Sequence, residues 1–233
     1  MEDLNGVLRT IYHNLSPTRG RMRPTNRLLI RQYTSSGSVK KLHLGCGSHV
    51  LPGWLNTDWN SSNSVAYLDF TKRFPFNNDT FDYAFTEHGI EHIPYTLGQR
   101  MLREVFRVLK PGGKIRVVTP DFAFLEALHQ AEKSDVQKAY ITWASEQFLG
   151  GSAPPAAEMH VINNFVRNWG HLFIYDQRSL SSALETTGFC RIKRYELNES
   201  DDPVFRRLEN EERMPPGFLR LESMVLEAVK AVQ

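Results

Sequence analysis

Between residues 81 and 119 the chain passes from a short apolar stretch through an amphipathic one into another apolar stretch, and this succession narrows the possible folds more than any other feature. Residues 81–85 follow the turn formers Asn77-Asn78-Asp79 and predict a strand. Over 96–109, Leu97, Met101, Leu102, Val105, Val108 and Leu109 recur three and four apart, with Arg100, Arg103, Glu104 and Arg107 between them. That spacing predicts a helix with one apolar face. Pro111-Gly112-Gly113 is expected to stop it, and residues 114–119, with Ile115, Val117 and Val118, predict the next strand. Strand, helix and strand in succession point to a parallel pair crossed over by the helix.

Upstream, residues 41–47 read Lys-Leu-His-Leu-Gly-Cys-Gly, an alternating strand that leaves the core through a glycine turn. Residues 54–58 and 65–69 predict two more strands, ending on Asp58 and Asp69. Beyond the fifth strand the pattern turns helical. Residues 121–148 are helix-rich, 150–157 predict a loop, and Met159, Ile162, Val166 and Trp169 mark the apolar side of a short helix. Residues 178–187 predict a helix stopped by Gly188, and 189–197 a strand, while 222–230 fits a strand or a helix. The expected fold is α/β, a doubly wound, mostly parallel sheet with a helical insertion after the fifth strand. Its expected division is a basic extension over 1–38 and a domain over 39–233, with the insertion at about 121–175.

The composition, 41% hydrophobic, 11% aromatic and 23% charged, excludes a disordered, collagen-like or disulfide-dense chain. No apolar run reaches the roughly 20 residues of a membrane-spanning helix, and no secretory-type apolar stretch stands near the amino terminus, so a cytoplasmic location is the expectation. Cys46 and Cys190 are too few for a disulfide framework. Charge is uneven: up to residue 41, eight Lys and Arg face only Glu2 and Asp3, and the rest of the chain is mildly acidic. Such an arm suits nucleic acid, an anionic membrane surface or the domain's own acidic face. Its arginines are spread out and interrupted by Pro17, Gly20 and Pro24, which also fits a plain solvated extension.

In an open parallel sheet, ligands bind beyond the carboxyl ends of the strands. Gly45-Cys46-Gly47 follows the first strand, where absent side chains let backbone N–H groups come close to a ligand. Asp58 closes the second strand, where a carboxylate can accept both hydrogen bonds of a ribose diol, and Asp69 closes the third, where it can accept from an adenine amino group. Gly-x-Gly alone is half of a dinucleotide-binding pattern, with Val50 in place of its third glycine. The weight lies in the series.

The segments Leu-His-Leu-Gly-Cys-Gly (42–47), Phe-Asp-Tyr-Ala-Phe (81–85) and Arg-Val-Leu-Lys-Pro-Gly-Gly-Lys-Ile (107–115), with Thr187-Gly188-Phe189 before a late strand, resemble the class I S-adenosylmethionine-dependent methyltransferases over about 39–197. The resemblance implies a Rossmann-like methyltransferase fold and S-adenosyl-L-methionine as cofactor. It also implies that the turn Leu44-Gly45-Cys46-Gly47 faces the methionine part of that cofactor, Asp58 its ribose, Asp69 and the Phe70 backbone N–H its adenine, and Glu87 its sulfonium end. Two positions depart from the pattern. His43 stands where many members have an acidic residue, so one usual contact of the loop is expected to be missing. Asp58 follows Gly45 by only 13 positions, so a single helical turn or a loop is expected in place of the full crossover helix.

His88-Gly89-Ile90-Glu91-His92 fits the His-x-x-Glu-His zinc pattern, but Gly89 and Pro94 oppose a continuous helix through both histidines, and no metal is assigned. His88 is a candidate proton acceptor, an ordinary imidazole pKa of about 6.5 suiting that role; the other reading is that both histidines pack the loop. His171 resembles a histidine that many small-molecule members carry before the penultimate helix, and is the second candidate catalytic residue. His160, Asn163, Asn164 and Arg167 are expected on the polar side of the short helix, as a lid over the acceptor or as a solvated face, with 150–155 as its joint. Asp121 either reaches the same space or caps a helix. The expected function is methyl transfer to a small-molecule or glycan acceptor. The alternatives are an RNA methyltransferase using the basic arm, which lacks an Asn/Asp-Pro-Pro-Tyr motif here, and a non-catalytic binding protein of the same fold.

Overall fold

The computed structural model describes residues 24–35, 37, 39–148 and 157–232. Most of the basic arm and the expected joint at 150–155 lie outside these residues. The elements in chain order begin with helix α1 (Pro24–Ser35) and strands β1 (Lys41–Leu44), β2 (Leu55–Asp58), β3 (Ala66–Tyr67) and β4 (Phe81–Glu87). Helix α2 (Tyr95–Val108), strand β5 (Leu109–Pro120) and helices α3 (Phe122–His129), α4 (Asp135–Phe148), α5 (Ala157–Arg167) and α6 (Gln177–Thr187) follow. Strand β6 (Phe189–Tyr195), the short helix α7 (Phe218–Glu222) and strand β7 (Ser223–Lys230) complete the described fold. One sheet of seven strands takes the order β3-β2-β1-β4-β5-β7-β6. Strands β1 to β5 pair in parallel, and β7 runs antiparallel between β5 and β6. The sheet is thus doubly wound and mostly parallel, and 222–230 resolves as a strand.

Strand alternation sends the sheet's side chains into two cores. Leu42, Leu44, Ala84, Ile115 and Val117 pack beneath α2 and α6, where Met101, Leu102, Val105, Leu180 and Leu184 meet them fully buried. Each such side chain contributes roughly 1.5–3 kcal/mol. Phe85, Val118, Trp54 and Val225 pack on the opposite face. Helix α2 ends at Val108, two residues ahead of Lys110, because Leu109 already adopts the extended backbone of β5. Pro111-Gly112-Gly113 then lies inside β5, where the register with β4 shifts. Helix α6 starts on a capping box of Asp176 and Ser179 and stops at Gly188, whose φ of 107° suits glycine.

Helix α1 lies within the segment read from the sequence as an extension, and it packs on the sheet. Asn26 exchanges hydrogen bonds with the Tyr67 backbone of the edge strand β3, Ile30 enters the main core, and the Tyr33 hydroxyl donates to the Lys41 and Gly53 carbonyls. The β1–β2 connection is a loop, as its length predicts. Asn56 organises it by accepting from the Leu51 N–H (2.8 Å) and donating to the Leu51 and Trp54 carbonyls.

Helices α3, α4 and α5 form a satellite core around Phe124, Leu128, Tyr140, Val161 and Phe165. Here the structure corrects the expected facing of α5. Val161, Asn164 and Phe165 are buried, whereas Met159 and Val166 are 40% and 39% exposed. Phe165 turns the helix, since its ring stacks on Phe124, Trp169 and His171, and Asn164 tolerates burial because its Oδ1 accepts from Asn168 Nδ2. His160, Asn163 and Arg167 remain outside, with Asn168 and the edge of Asn164, along an open groove of about 270 Å³.

Candidate active site

At the carboxyl end of β1 the chain turns through Gly45 (φ 66°) and Gly47 (φ 51°), in the left-handed region that favours glycine. The Gly47 N–H donates to Asp58 Oδ2 at 2.9 Å and the Asn60 N–H to Oδ1 at 2.7 Å, so the carboxylate at the end of β2 braces the glycine turn. Asp69 is buried just past β3, accepts from the Thr71 N–H (3.0 Å) and hydroxyl (2.5 Å), and pairs with Lys72 at 3.1 Å. The neighbouring Phe70 ring links two loops: a Cβ on Gly45 would stand 3.4 Å from it, and one on Gly89 3.9 Å. The turns after β1, β3 and β4 therefore converge on one place. Leu44 is fully buried in the sheet core and anchors the strand end. Cys46 is also buried, and burial first, with Asp58 nearby, pushes its thiol up to about 11.

His43 is a core residue. It is 1% exposed, sits 3.0 Å from Asn56 Oδ1 and stacks on Phe85 at 4.9 Å, and burial lowers its pKa to about 4. It is therefore neutral and packs beneath the loop.

The end of β4 is different in kind. Glu87 is buried with His49 Nδ1 at 3.5 Å and Arg213 Nε at 3.9 Å from its oxygens. His88 takes a left-handed backbone (φ 48°), held by its N–H on the Val118 carbonyl, and this turn throws the chain out of the sheet. Its Nε2 lies 2.8 Å from the Ser223 hydroxyl and its Nδ1 3.3 Å from Glu91 Oε1. Glu91 is fully buried on a short 3-10 turn, Ile90–His92, with Oε2 accepting from the Thr119 hydroxyl at 3.1 Å. Burial alone would raise its carboxyl, but the close imidazole of His88, with His92 behind, holds it below the usual carboxylate range. His92 Nε2 stands 3.9 Å from the same Glu91 oxygen. His171 stacks beside His92 at 5.1 Å, and burial lowers its pKa to about 4, so it too is neutral near pH 7.

Among the described residues, the buried side-chain atoms left without a hydrogen-bond partner are His49 Nδ1, Thr86 Oγ1, Glu87 Oε1, Glu91 Oε1 and the Tyr175 hydroxyl. All gather at this one end of β4: Tyr175 lies against Gly98 and Ile90, the residue next to Glu91. Buried polar groups are rarely left unpaired in a folded protein, and water, an ion or a ligand can complete such a cluster. Asp121 pairs with Tyr175 through the backbone, but its carboxylate is engaged elsewhere. Asp121 caps α3 through the Ala123 N–H and pairs with Arg194 at 2.9 Å.

The structure thus brings Gly45, Gly47, Asp58, Asp69, Phe70, Glu87 and His88 to the carboxyl ends of adjacent strands, with His171 beside His92. It leaves the outer face of α5 in solvent. Sequence reasoning missed His49, Tyr175, Arg213 and Ser223, because each reaches the site by a fold contact that no local spacing encodes; His49, two residues past the glycine turn, alone had a positional signal.

Residues 54–117, spanning β2 to β5, match the family model described as a methyltransferase domain. Over these residues the chain is similar to a methyltransferase domain. Demethylmenaquinone methyltransferase of Protochlamydia amoebophila (strain UWE25) is 30% identical over 131 residues, 54% of this chain and 47% of that protein. Phosphoethanolamine N-methyltransferase 2 of Caenorhabditis elegans is 31% identical over 68 residues, 29% of this chain and 14% of that protein. The chain therefore spans less than half the length of these relatives. A solved SAM-dependent methyltransferase from Archaeoglobus fulgidus aligns with 94% of this chain and 100% of its own at 14% identity and a TM-score of 0.49. Among the described residues, no helix is long and apolar enough to cross a membrane.

Proposed function

We propose that this chain transfers a methyl group from S-adenosyl-L-methionine to a small-molecule acceptor. The observation that carries the reading is the convergence of the turns after β1, β3 and β4 on the Phe70 ring, with Asp58 bonded to the first of these turns and Glu87 at the end of β4. The residues present fit the cofactor. Gly45 takes a left-handed backbone that strains any side chain, the Asp58 oxygens each keep a lone pair beyond the backbone bond they accept, and Glu87 Oε1 has no hydrogen-bond partner. When bound, S-adenosyl-L-methionine supplies a methyl already activated on a sulfonium.

The protein's own work is then positioning and charge. Asp58 accepts the ribose hydroxyls, Asp69 and the Phe70 N–H take the adenine edge, the turn Leu44-Gly45-Cys46-Gly47 offers its backbone to the methionine part, and the Glu87 carboxylate faces the positive sulfonium end. His88 is the proposed proton acceptor. The Glu91 carboxylate beside Nδ1 favours the tautomer with its proton there, which leaves the Nε2 lone pair toward Ser223, where an acceptor hydroxyl or amine can compete for it. His171 is read as a wall of the acceptor space, neutral and fixed by its bond to the Phe165 carbonyl at 2.8 Å. The helices at 121–175 are read as a lid that excludes water.

Calorimetric titration with S-adenosylhomocysteine tests the reading on wild type and on Asp58→Ala. Micromolar binding, weakened about tenfold or more by losing the ribose hydrogen bonds, is the expected result. No binding to folded, cofactor-free wild type would favour a non-catalytic binding protein.

A further inference from the structure

The Glu91 turn contains more than the proton relay needs. Glu91, His92 and His171 each offer one ligand atom, and these atoms lie within 4.8 Å of one another. Both imidazoles are fixed in the same sense. His92 Nδ1 is 3.2 Å from the Gly170 carbonyl and His171 Nδ1 is 2.8 Å from the Phe165 carbonyl, so each ring donates from Nδ1 and keeps its lone pair on Nε2. Histidine ligands of metals are characteristically oriented this way, by a backbone carbonyl on the nitrogen that does not ligate. Opposite them stands Glu91 Oε1, on a fully buried side chain and without a hydrogen-bond partner.

We propose that Glu91 Oε1, His92 Nε2 and His171 Nε2 form a binding site for one borderline divalent cation of the Zn²⁺, Fe²⁺ or Co²⁺ class, with its remaining positions open to an oxygen or nitrogen of the acceptor. Two imidazoles and one carboxylate are the donor set that such ions take, whereas Ca²⁺ and Mg²⁺ prefer oxygen alone. Ligands about 2.0–2.2 Å from a shared ion sit closer together than these three, so occupation draws the site in by about an ångström. His92 can supply that movement, since its side chain is 42% exposed. His88 Nδ1, 3.3 Å from the same Glu91 oxygen, and the Thr119 hydroxyl on the other oxygen orient the carboxylate. The zinc-like spacing in the sequence pairs His88 with His92. The fold replaces that pair, because the left-handed turn at His88 aims its ring at Ser223 and brings His171 to His92 instead.

The existence of the site is independent of the methyltransferase reading, and only its role toward the acceptor rests on it. The test is titration of chelator-treated full-length protein with Zn²⁺ by calorimetry and with Co²⁺ by visible absorption. His92→Ala and His171→Phe are run beside wild type, and the Phe ring keeps the stacking against Phe165. Thermal unfolding checks the fold of each variant, and S-adenosylhomocysteine is titrated into the same samples. The expected result is one ion per chain in wild type, with affinity about 100-fold weaker in each variant, unaltered melting and unaltered S-adenosylhomocysteine binding. Uptake of Zn²⁺ without S-adenosylhomocysteine binding would support the metal site while removing the methyltransferase role. Absence of uptake by wild type, or uptake by either variant as tight as that of wild type, would overturn the site and leave Glu91 as a carboxylate balanced by imidazole alone.

Discussion

Two neighbouring strands bury charge in opposite ways. Arg116 of β5 is fully buried, and its guanidinium donates to Glu209, Glu227 and the Glu199 and Glu196 carbonyls. The carboxylates are completed in turn, Glu209 by the Asn198 N–H and Glu227 by the Ser200 hydroxyl. At the end of β4, one strand away, Glu87 and Glu91 are as deeply placed, yet each keeps an oxygen without a hydrogen-bond partner. A closed network fixes a fold, and an open one at the mouth of a sheet keeps polar atoms that water or a ligand can meet. Burial and charge alone do not separate structure from function here; satisfaction of each polar atom does.

The largest expected effect lies on the closed side. Arg116→Met leaves Glu209 and Glu227 buried without their counter-charge and should cost about 3–5 kcal/mol in urea unfolding. A loss below about 1 kcal/mol would mean that the network is looser than its geometry. Next comes Gly98→Ala, whose new Cβ would stand 2.6 Å from the Tyr175 hydroxyl. Overpacking of this kind costs typically about 1–3 kcal/mol. Because that hydroxyl has no partner, Tyr175→Phe alone should be neutral or stabilising by up to about 1 kcal/mol, and it should restore most of the loss when combined with Gly98→Ala. A destabilising Tyr175→Phe would show that the hydroxyl is satisfied and would weaken the contrast. The smallest effect belongs to α5, where Met159→Ser and Val166→Ser should each fall within about 0.5 kcal/mol in thermal unfolding, against about 3–5 kcal/mol for Phe165→Ala.

The α5 comparison also shows where sequence reading stops. Strands β1, β2 and β4 and helices α2 and α6 were legible because one apolar period dominates each and a glycine or turn cluster punctuates it. Residues 157–167 carry two overlapping apolar stripes, and the satellite core, assembled from α3 and α4, selects the one with Phe165. Helix α1 was hidden by its arginines and the flanking Pro24, since only its fit to the β3 edge makes it an element of the sheet. The candidate site was legible wherever it lies at a strand end, as at Gly45, Gly47, Asp58, Asp69, Glu87 and His88. His171 was singled out but not joined to Glu91, and Ser223 and Tyr175 were not seen, because loops distant in sequence bring them together.

Hydrogen–deuterium exchange of the full chain with and without S-adenosylhomocysteine tests the central claim most directly. The account predicts slowed exchange in three segments, 45–60, 69–72 and 86–92, with no change around Arg116. Binding that instead protects the α5 groove, or that leaves 86–92 unaffected, would contradict the assignment of the open polar atoms to a ligand site.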